Sequence, residues 1–142
     1  MKKLFVLPVV LMVVFSCKSD PPDAPCTTDV TSISGSYKIT GYTYKQSTTS
    51  SEIDYYSTLF PDACERDDVL AFSANGTYQK TDAGIVCSPP ENDNGTWSLA
   101  SNTITIGGDP IIIESFDCKT LVLTSLDFLI TGDKLKIILT KQ

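Results

Sequence analysis

Cys64-Glu65-Arg66-Asp67-Asp68 is the densest cluster of chemically capable side chains, and it stands immediately before the apolar stretch Val69 to Phe72. Carboxylates this close could share a divalent cation or serve as the acid and base of glycoside hydrolysis. Either chemistry needs the acids to converge. In an extended chain neighbours point to opposite faces, so Asp67 and Asp68 diverge. Glu65 and Asp67 share a face but gain no partner acid nearby. The run therefore reads as the polar approach to a hairpin, with Arg66 offsetting part of its charge. Glu91-Asn92-Asp93-Asn94-Gly95 resembles the start of a calcium loop, with oxygen-bearing side chains at alternate positions before a glycine. Thr96-Trp97 begins a strand where the remaining ligands would be needed, so this is read as a polar loop. The chain contains no histidine, so no serine, threonine or cysteine has an imidazole to activate it. No Cys-x-x-Cys is present. The expectation is a non-enzymatic protein with no catalytic residue, no metal site and no cofactor.

The elements that position these groups are β throughout. Tyr37, Ile39, Tyr42 and Tyr44 fit a first strand whose alternation is shifted by a bulge at Gly41. Val69–Ser73 and Thr77–Thr81 flank Asn75-Gly76, a strong hairpin signal. Thr96–Leu99 and Thr103–Ile106 flank Ser101-Asn102. Gly107–Pro110 turns the chain into Ile111–Phe116, Thr120–Ile130 reads as a long seventh strand, and Thr131–Asp133 leads into Lys134–Thr140. Glu52–Phe60 has room for one or two helical turns. Eight short antiparallel strands joined mostly by tight turns predict an all-β, up-and-down barrel, which leaves no open edge. A two-sheet sandwich is the alternative. Asn75-Gly76-Thr77 and Asn94-Gly95-Thr96 match the N-glycosylation pattern and are read as turn chemistry.

Strand order also sorts the cysteines. In an up-and-down barrel successive connections alternate between two ends. Connections 75–76, 101–102 and 117–119 fall at the end where the first strand starts, the base. Connections 46–66, 84–94, 107–110 and 131–133 fall at the other end, the mouth. Cys26 and Cys118 then lie at the base, Cys64 and Cys87 at the mouth. A strand of about seven residues rises roughly 23 Å, whereas bridged Cα atoms must come within about 7 Å. The predicted disulfides are Cys64–Cys87 and Cys26–Cys118. Hairpin pairing about Asn75-Gly76 places 64 opposite 87, and a three-residue loop with Gly76 left-handed shifts this by only one.

The segments "GSYKITGY", "CERDDVLAFSANGTY", the later Cys87, "GTWSL" and "NTITI" together resemble the lipocalin-like domains of Gram-negative bacterial lipoproteins, over residues 35–142. That resemblance implies the fold and supplies no settled activity. Lipocalins open their first strand with Gly-x-Trp; here Gly35-Ser36-Tyr37 carries tyrosine, and a tryptophan in that motif form comes at Gly95-Thr96-Trp97. If the barrel holds a ligand, Tyr44, Phe72, Tyr78 and Trp97 are expected to contribute to its site, with Ile104, Ile106, Leu121 and Leu123 among the inward apolar residues. Tyr55, Tyr56 and Phe60, in the first long connection, would serve as lid, partner patch or plug. Short strands favour a filled or nearly filled interior.

The amino terminus carries a secretory signal over residues 1–16: Lys2 and Lys3, an apolar run Leu4 to Phe15, and Ser16 before a cut. As a helix that run would reach roughly 18 Å, short of the ~30 Å hydrocarbon core. Val14-Phe15-Ser16-Cys17 resembles the lipobox of bacterial lipoproteins, which implies lipidation of Cys17 and anchorage in a membrane, the outer membrane of the cell envelope. Residues 17–34, with Pro21, Pro22 and Pro25, read as a lipidated start and flexible tether, ahead of one domain at 35–142. The chain has 11 basic and 17 acidic residues; loss of Lys2 and Lys3 leaves nine against 17, a net −8. Such an acidic surface repels phosphate backbones, so nucleic acid is excluded as a partner. The expected partners are the membrane, through the lipid, and either a small apolar ligand or an envelope protein or glycan bound by a monomer.

Overall fold

The computed structural model describes residues 26–142. The signal, Cys17 and the first half of the expected tether, residues 17–25, lie outside the described residues. Packed structure begins ahead of Gly35. Val30–Ile33 forms one helical turn, α1, capped by the Asp29 carboxylate, which accepts from the Ser32 amide (2.8 Å). Ile33 is fully buried, and the Tyr37 hydroxyl donates to its carbonyl (2.7 Å). This turn seals the base.

The strands are β1 (Gly35–Lys45), β2 (Ile53–Asp54), β3 (Val69–Phe72), β4 (Thr77–Thr81), β5 (Asp93–Ala100), β6 (Thr103–Ile106), β7 (Asp109–Phe116), β8 (Thr120–Leu126) and β9 (Lys134–Lys141). All pair antiparallel with their neighbours, and β1 also pairs with β9, so eight of them close a ring. The short β2 adds to β1 at Thr43 and Tyr44, beyond the stretch of β1 that β3 covers. It was not foreseen. The helical turn α2 (Tyr56–Leu59) falls inside the window expected for one.

The bulge in β1 lies where the alternation placed it. Ile39 pairs with Leu139 and Gly41 with Ile138, leaving Thr40 as the extra residue. Tyr37 and Ile39 before it, and Tyr42 and Tyr44 after it, therefore share the inner face. A second bulge, at Glu114 in β7, brings Phe116 to the same face as Ile113. Ser73 and Thr77 close a three-residue loop in which Gly76 adopts φ 85°. Asn75 Oδ1 accepts from the Thr77 amide and hydroxyl (3.1 and 2.7 Å), which is its role as a turn residue.

The base half of the interior is packed. Ile33, Tyr37, Phe72, Trp97, Ile104 and Leu121 are buried together, with Phe72 between Tyr37 (5.8 Å between ring centroids) and Trp97 (5.2 Å). Trp97 Nε1 donates to Ser73 O (2.8 Å), so the indole is satisfied. Cys26 is bridged to Cys118 and Cys64 to Cys87, with Cα separations of 5.6 and 5.3 Å. Each bridge joins connections at one end of the barrel.

Two boundaries differ from expectation. The turn after β6 is only Gly107-Gly108, because Ile106 pairs with Asp109 and Pro110 sits within β7. The expected seventh strand to Ile130 stops at Leu126. Phe128, Leu129 and Ile130 look like strand residues, but their amides all donate to the Asp133 carboxylate, at 2.6, 2.9 and 2.9 Å. The Tyr44 hydroxyl donates to it as well (2.9 Å). An acceptor that captures three successive amides leaves none for a ladder.

Asp133 is 1% exposed. Burial acts to raise its pKa, but the amides of Ile130 and Leu129, the Tyr44 hydroxyl and the Phe128 amide outweigh that, and the net shift is downward. A depressed folded pKa contributes stability above the unfolded value of 3.8 that is lost as pH falls through the folded one. Asp133→Asn is expected to lower the thermal midpoint at pH 7 by roughly 5–10 °C and to flatten the acid limb below about pH 4. Melting curves between pH 2 and 7 check both. A midpoint within about 1 °C of the parent would show that the three amides find other partners.

Candidate functional site

The mouth half of the barrel is hollow. Above the packed base, Ile39, Leu70, Ile106, Ile111, Leu123 and Ile137 line a cleft of about 400 Å³ whose rim carries Tyr78 and Asp109. A second chamber of about 220 Å³ shares Ile39, Tyr42 and Leu70 with it and continues toward Phe60, Glu65, Arg66, Asp68 and Lys80. The two together form an apolar floor with a charged upper corner. A barrel of eight strands has room to hold one small ligand when its side chains do not fill it. The expectation of a filled interior describes the base half only.

Strand parity explains the wall. Leu70 and Phe72 face inward on β3, so Asp68 does also; Tyr78 and Lys80 face inward on β4, opposite Phe72 and Leu70. The Tyr78 ring lies across Gly95, where an added Cβ would stand 2.7 Å from Tyr78 Cε1. Its hydroxyl donates to Asp93 (2.9 Å), and that bond, with burial, raises its pKa.

The first long connection folds over the opening. Tyr42 packs on Tyr56 (6.1 Å, 18° between planes) and on Phe60 (5.3 Å), while Tyr44 packs on Tyr55 (5.2 Å). The Tyr56 hydroxyl donates to Ile39 O (2.9 Å). Burial, with the neighbouring Tyr56, pushes the Tyr42 phenol up to about 12. Arg66 holds the connection from beneath, its Nε donating to Phe60 O (2.7 Å) and its Nη2 to Pro61 O (2.9 Å). Asp67 accepts from the Ile85 amide (2.8 Å), and Asp82 accepts from the Cys87 and Glu91 amides. The Asp67 bond and Cys64–Cys87 tie the first long connection to the 82–92 loop, while Asp82 closes that loop on itself.

The acidic run is therefore not the solvated strand approach that its composition indicated. Arg66 and Asp67 are structural ties, and Asp68 is buried beside the upper chamber, with Lys80 Nζ 2.9 Å from its Oδ2. Asp67 and Asp68 do diverge, one toward the 82–92 loop and one inward. Glu91 pairs with Lys80 (3.4 Å), Asn92 accepts from the Asp82 amide and Asp93 from Tyr78, so the segment that looks like a calcium loop is spent on its own turn.

Of the expected ligand residues, Tyr78 lines the cleft and Phe60 the upper chamber. Tyr44, Tyr55 and Tyr56 build the cover. Phe72 and Trp97 lie in the packed base and line neither chamber. Tyr42, Leu70, Asp68 and Lys80 were missed as wall residues. The signal for Tyr42 was the Gly41 bulge, and for the rest it was strand parity. A further hollow of about 350 Å³ lies on the outer face of β7–β9 and β1, crossed by Lys136 with its ion pairs to Glu52 (3.4 Å) and Glu114 (3.3 Å). Exposed apolar side chains stand at the mouth in two places: Leu126, Phe128, Leu129 and Ile130 at and after the end of β8, and Ile85 and Val86 in the β4–β5 connection on the opposite side of the ring.

Among the described residues no group of three or more His, Cys, Asp or Glu side chains converges as a metal site. The family model for the lipocalin-like domain matches residues 33–137. No curated protein and no solved structure gives a significant match.

Proposed function

The chain belongs to the lipocalin-like domain family, and from that premise we propose that it is a non-enzymatic envelope lipoprotein that binds a small apolar ligand at the mouth of its barrel. The observation that carries this reading is the cleft of about 400 Å³. Its walls are aliphatic, it meets the aromatic cover at Tyr42, and it has the size of a small-molecule site. In this reading Cys17 carries the lipid and holds a monomer in the outer membrane, and the cover of Tyr55, Tyr56 and Phe60 opens to admit the ligand. The test is titration with 1-aminoanthracene, an apolar fluorophore that brightens when water is excluded. A saturable signal with one site per chain supports a carrier. A flat titration contradicts it.

A second reading, a structural or interaction module for an envelope protein or glycan, rests on the exposed tip at Phe128–Ile130 and on Ile85 and Val86. Apolar side chains grouped at one end of a barrel mark a surface that meets a partner. Under that reading Leu129→Asp abolishes partner capture while fluorophore binding, if any, is unchanged.

A further inference from the structure

Asp68 is a buried carboxylate with an open oxygen. Its side chain is 6% exposed and lines the upper chamber, yet among the described residues its Oδ1 has no hydrogen-bond partner. Its Oδ2 has only Lys80 Nζ, at 2.9 Å, and that ammonium is shared with Glu91 at 3.4 Å. The other buried acidic residues are employed: Asp133 accepts three amides and a hydroxyl, and Asp82 accepts the amides of Cys87 and Glu91. Asp67 leaves its Oδ1 open but accepts the Ile85 amide at Oδ2 and lines neither chamber. Leaving a buried acceptor unmet costs free energy unless something fills it.

We propose that Asp68 receives the hydrogen-bond-donating head of an uncharged amphipathic ligand, a molecule of the fatty-alcohol or acylglycerol class, whose chain lies in the apolar cleft. The inference rests on the carrier reading above and adds the chemistry of the head. Charge balance selects an uncharged head. The corner holds Glu65 and Asp68 against Arg66 and Lys80; Lys80 is already shared between Asp68 and Glu91, and Arg66 is held by the Phe60 and Pro61 carbonyls, so neither cation stands ready for an anionic head. A carboxylate or phosphate brought to Asp68 meets a fixed anion at contact distance. An ammonium meets Lys80, which already occupies the cationic place beside Oδ2. A hydroxyl satisfies the open acceptor and leaves the ion pair intact. The two chambers border on the same Ile39, Tyr42 and Leu70, and the proposal has the chain pass these side chains toward Leu123 and Ile137.

The test compares 1-decanol, decanoate and decylamine on the full-length protein by NMR titration, reading the amides of Leu70 and Ile106. Decanol is expected to bind roughly tenfold more tightly than either charged probe. Nuclear Overhauser contacts should place its hydroxymethylene protons near Leu70 and Lys80 and its methyl end near Ile137. In Asp68→Asn the preference over decanoate is expected to fall within about threefold. The wild-type ranking and the contacts decide the matter even if that variant does not fold. Decanoate or decylamine binding as well as decanol, or a decanol chain lying with its methyl at Lys80, overturns the head assignment and leaves the carrier reading standing. No binding by any of the three overturns both.

Discussion

Cys26→Ser/Cys118→Ser is expected to lose about 4–5 kcal/mol of folding stability, the largest effect of any change discussed for this domain. The bridge spans 92 residues, nearly the whole barrel, so its removal frees the most conformational entropy in the unfolded chain. The Cys64–Cys87 bridge spans 23, for which the same reasoning gives about 3 kcal/mol. Domains of this size hold about 5–15 kcal/mol in all, so the base bridge is a large share of the total. Its folded-state role points the same way. Cys26 holds the segment that leads into α1, and α1 seats the fully buried Ile33 against Tyr37 and the base core. Without the bridge, that plug is retained by the Tyr37–Ile33 hydrogen bond and by Lys141 Nζ, which donates to Ser32 O (2.7 Å). Urea unfolding of the double variant, compared with Cys64→Ser/Cys87→Ser, checks the order. Equal losses, or a smaller loss for the base pair, would mean that the unfolded chain is already compact around that link.

Ile106→Trp is expected to weaken 1-aminoanthracene binding by roughly a hundredfold while leaving the barrel folded. Ile106 lies at the mouth end of β6, opposite Trp97 on β5, and its side chain forms part of the cleft wall beside Asp109. Enlarging a residue in a close-packed core typically costs 1–3 kcal/mol. Here the added ring has open volume to enter, so the cost is expected at or below the low end of that range. Thr105→Trp, one position along and on the outer face by parity, serves as the control and should bind as the parent does. If both variants bind equally well, the fluorophore is held by the exposed mouth tip at Phe128–Ile130 and not within the barrel.

Much of this architecture was readable because each feature left a local mark. The break in alternation at Gly41 located the β1 bulge, and Asn75-Gly76 located the hairpin. The alternation of connections between two ends then paired the cysteines, since a strand is too long for a disulfide to cross. What failed depended on contacts distant in sequence or on volume. Phe128-Leu129-Ile130 has the composition of a strand, and only the Asp133 carboxylate, anchored by Tyr44 from β1, turns those amides away from a ladder. The second bulge at Glu114 has no glycine to announce it. The site was half legible. Parity marks Tyr78 and Lys80 as inward, but composition marked Asp68 as a solvated charge. Nothing in the alternation tells how far Phe72 and Trp97 fill the barrel and where the filling stops. That limit is set by how Tyr37, Phe72 and Trp97 pack at the base, leaving a largely aliphatic floor with Tyr42 and Tyr78 beside it in the mouth half.

If the mouth half of this barrel holds a small apolar molecule, native mass spectrometry of the protein purified from the cells that make it will detect it. A discrete added mass is expected, released on mild activation and absent from Ile106→Trp, and that mass would begin to name the cargo. A chain that carries no added mass, and takes up none from lipid extract of the same cells, would contradict the carrier reading and leave the exposed mouth tip as the functional surface.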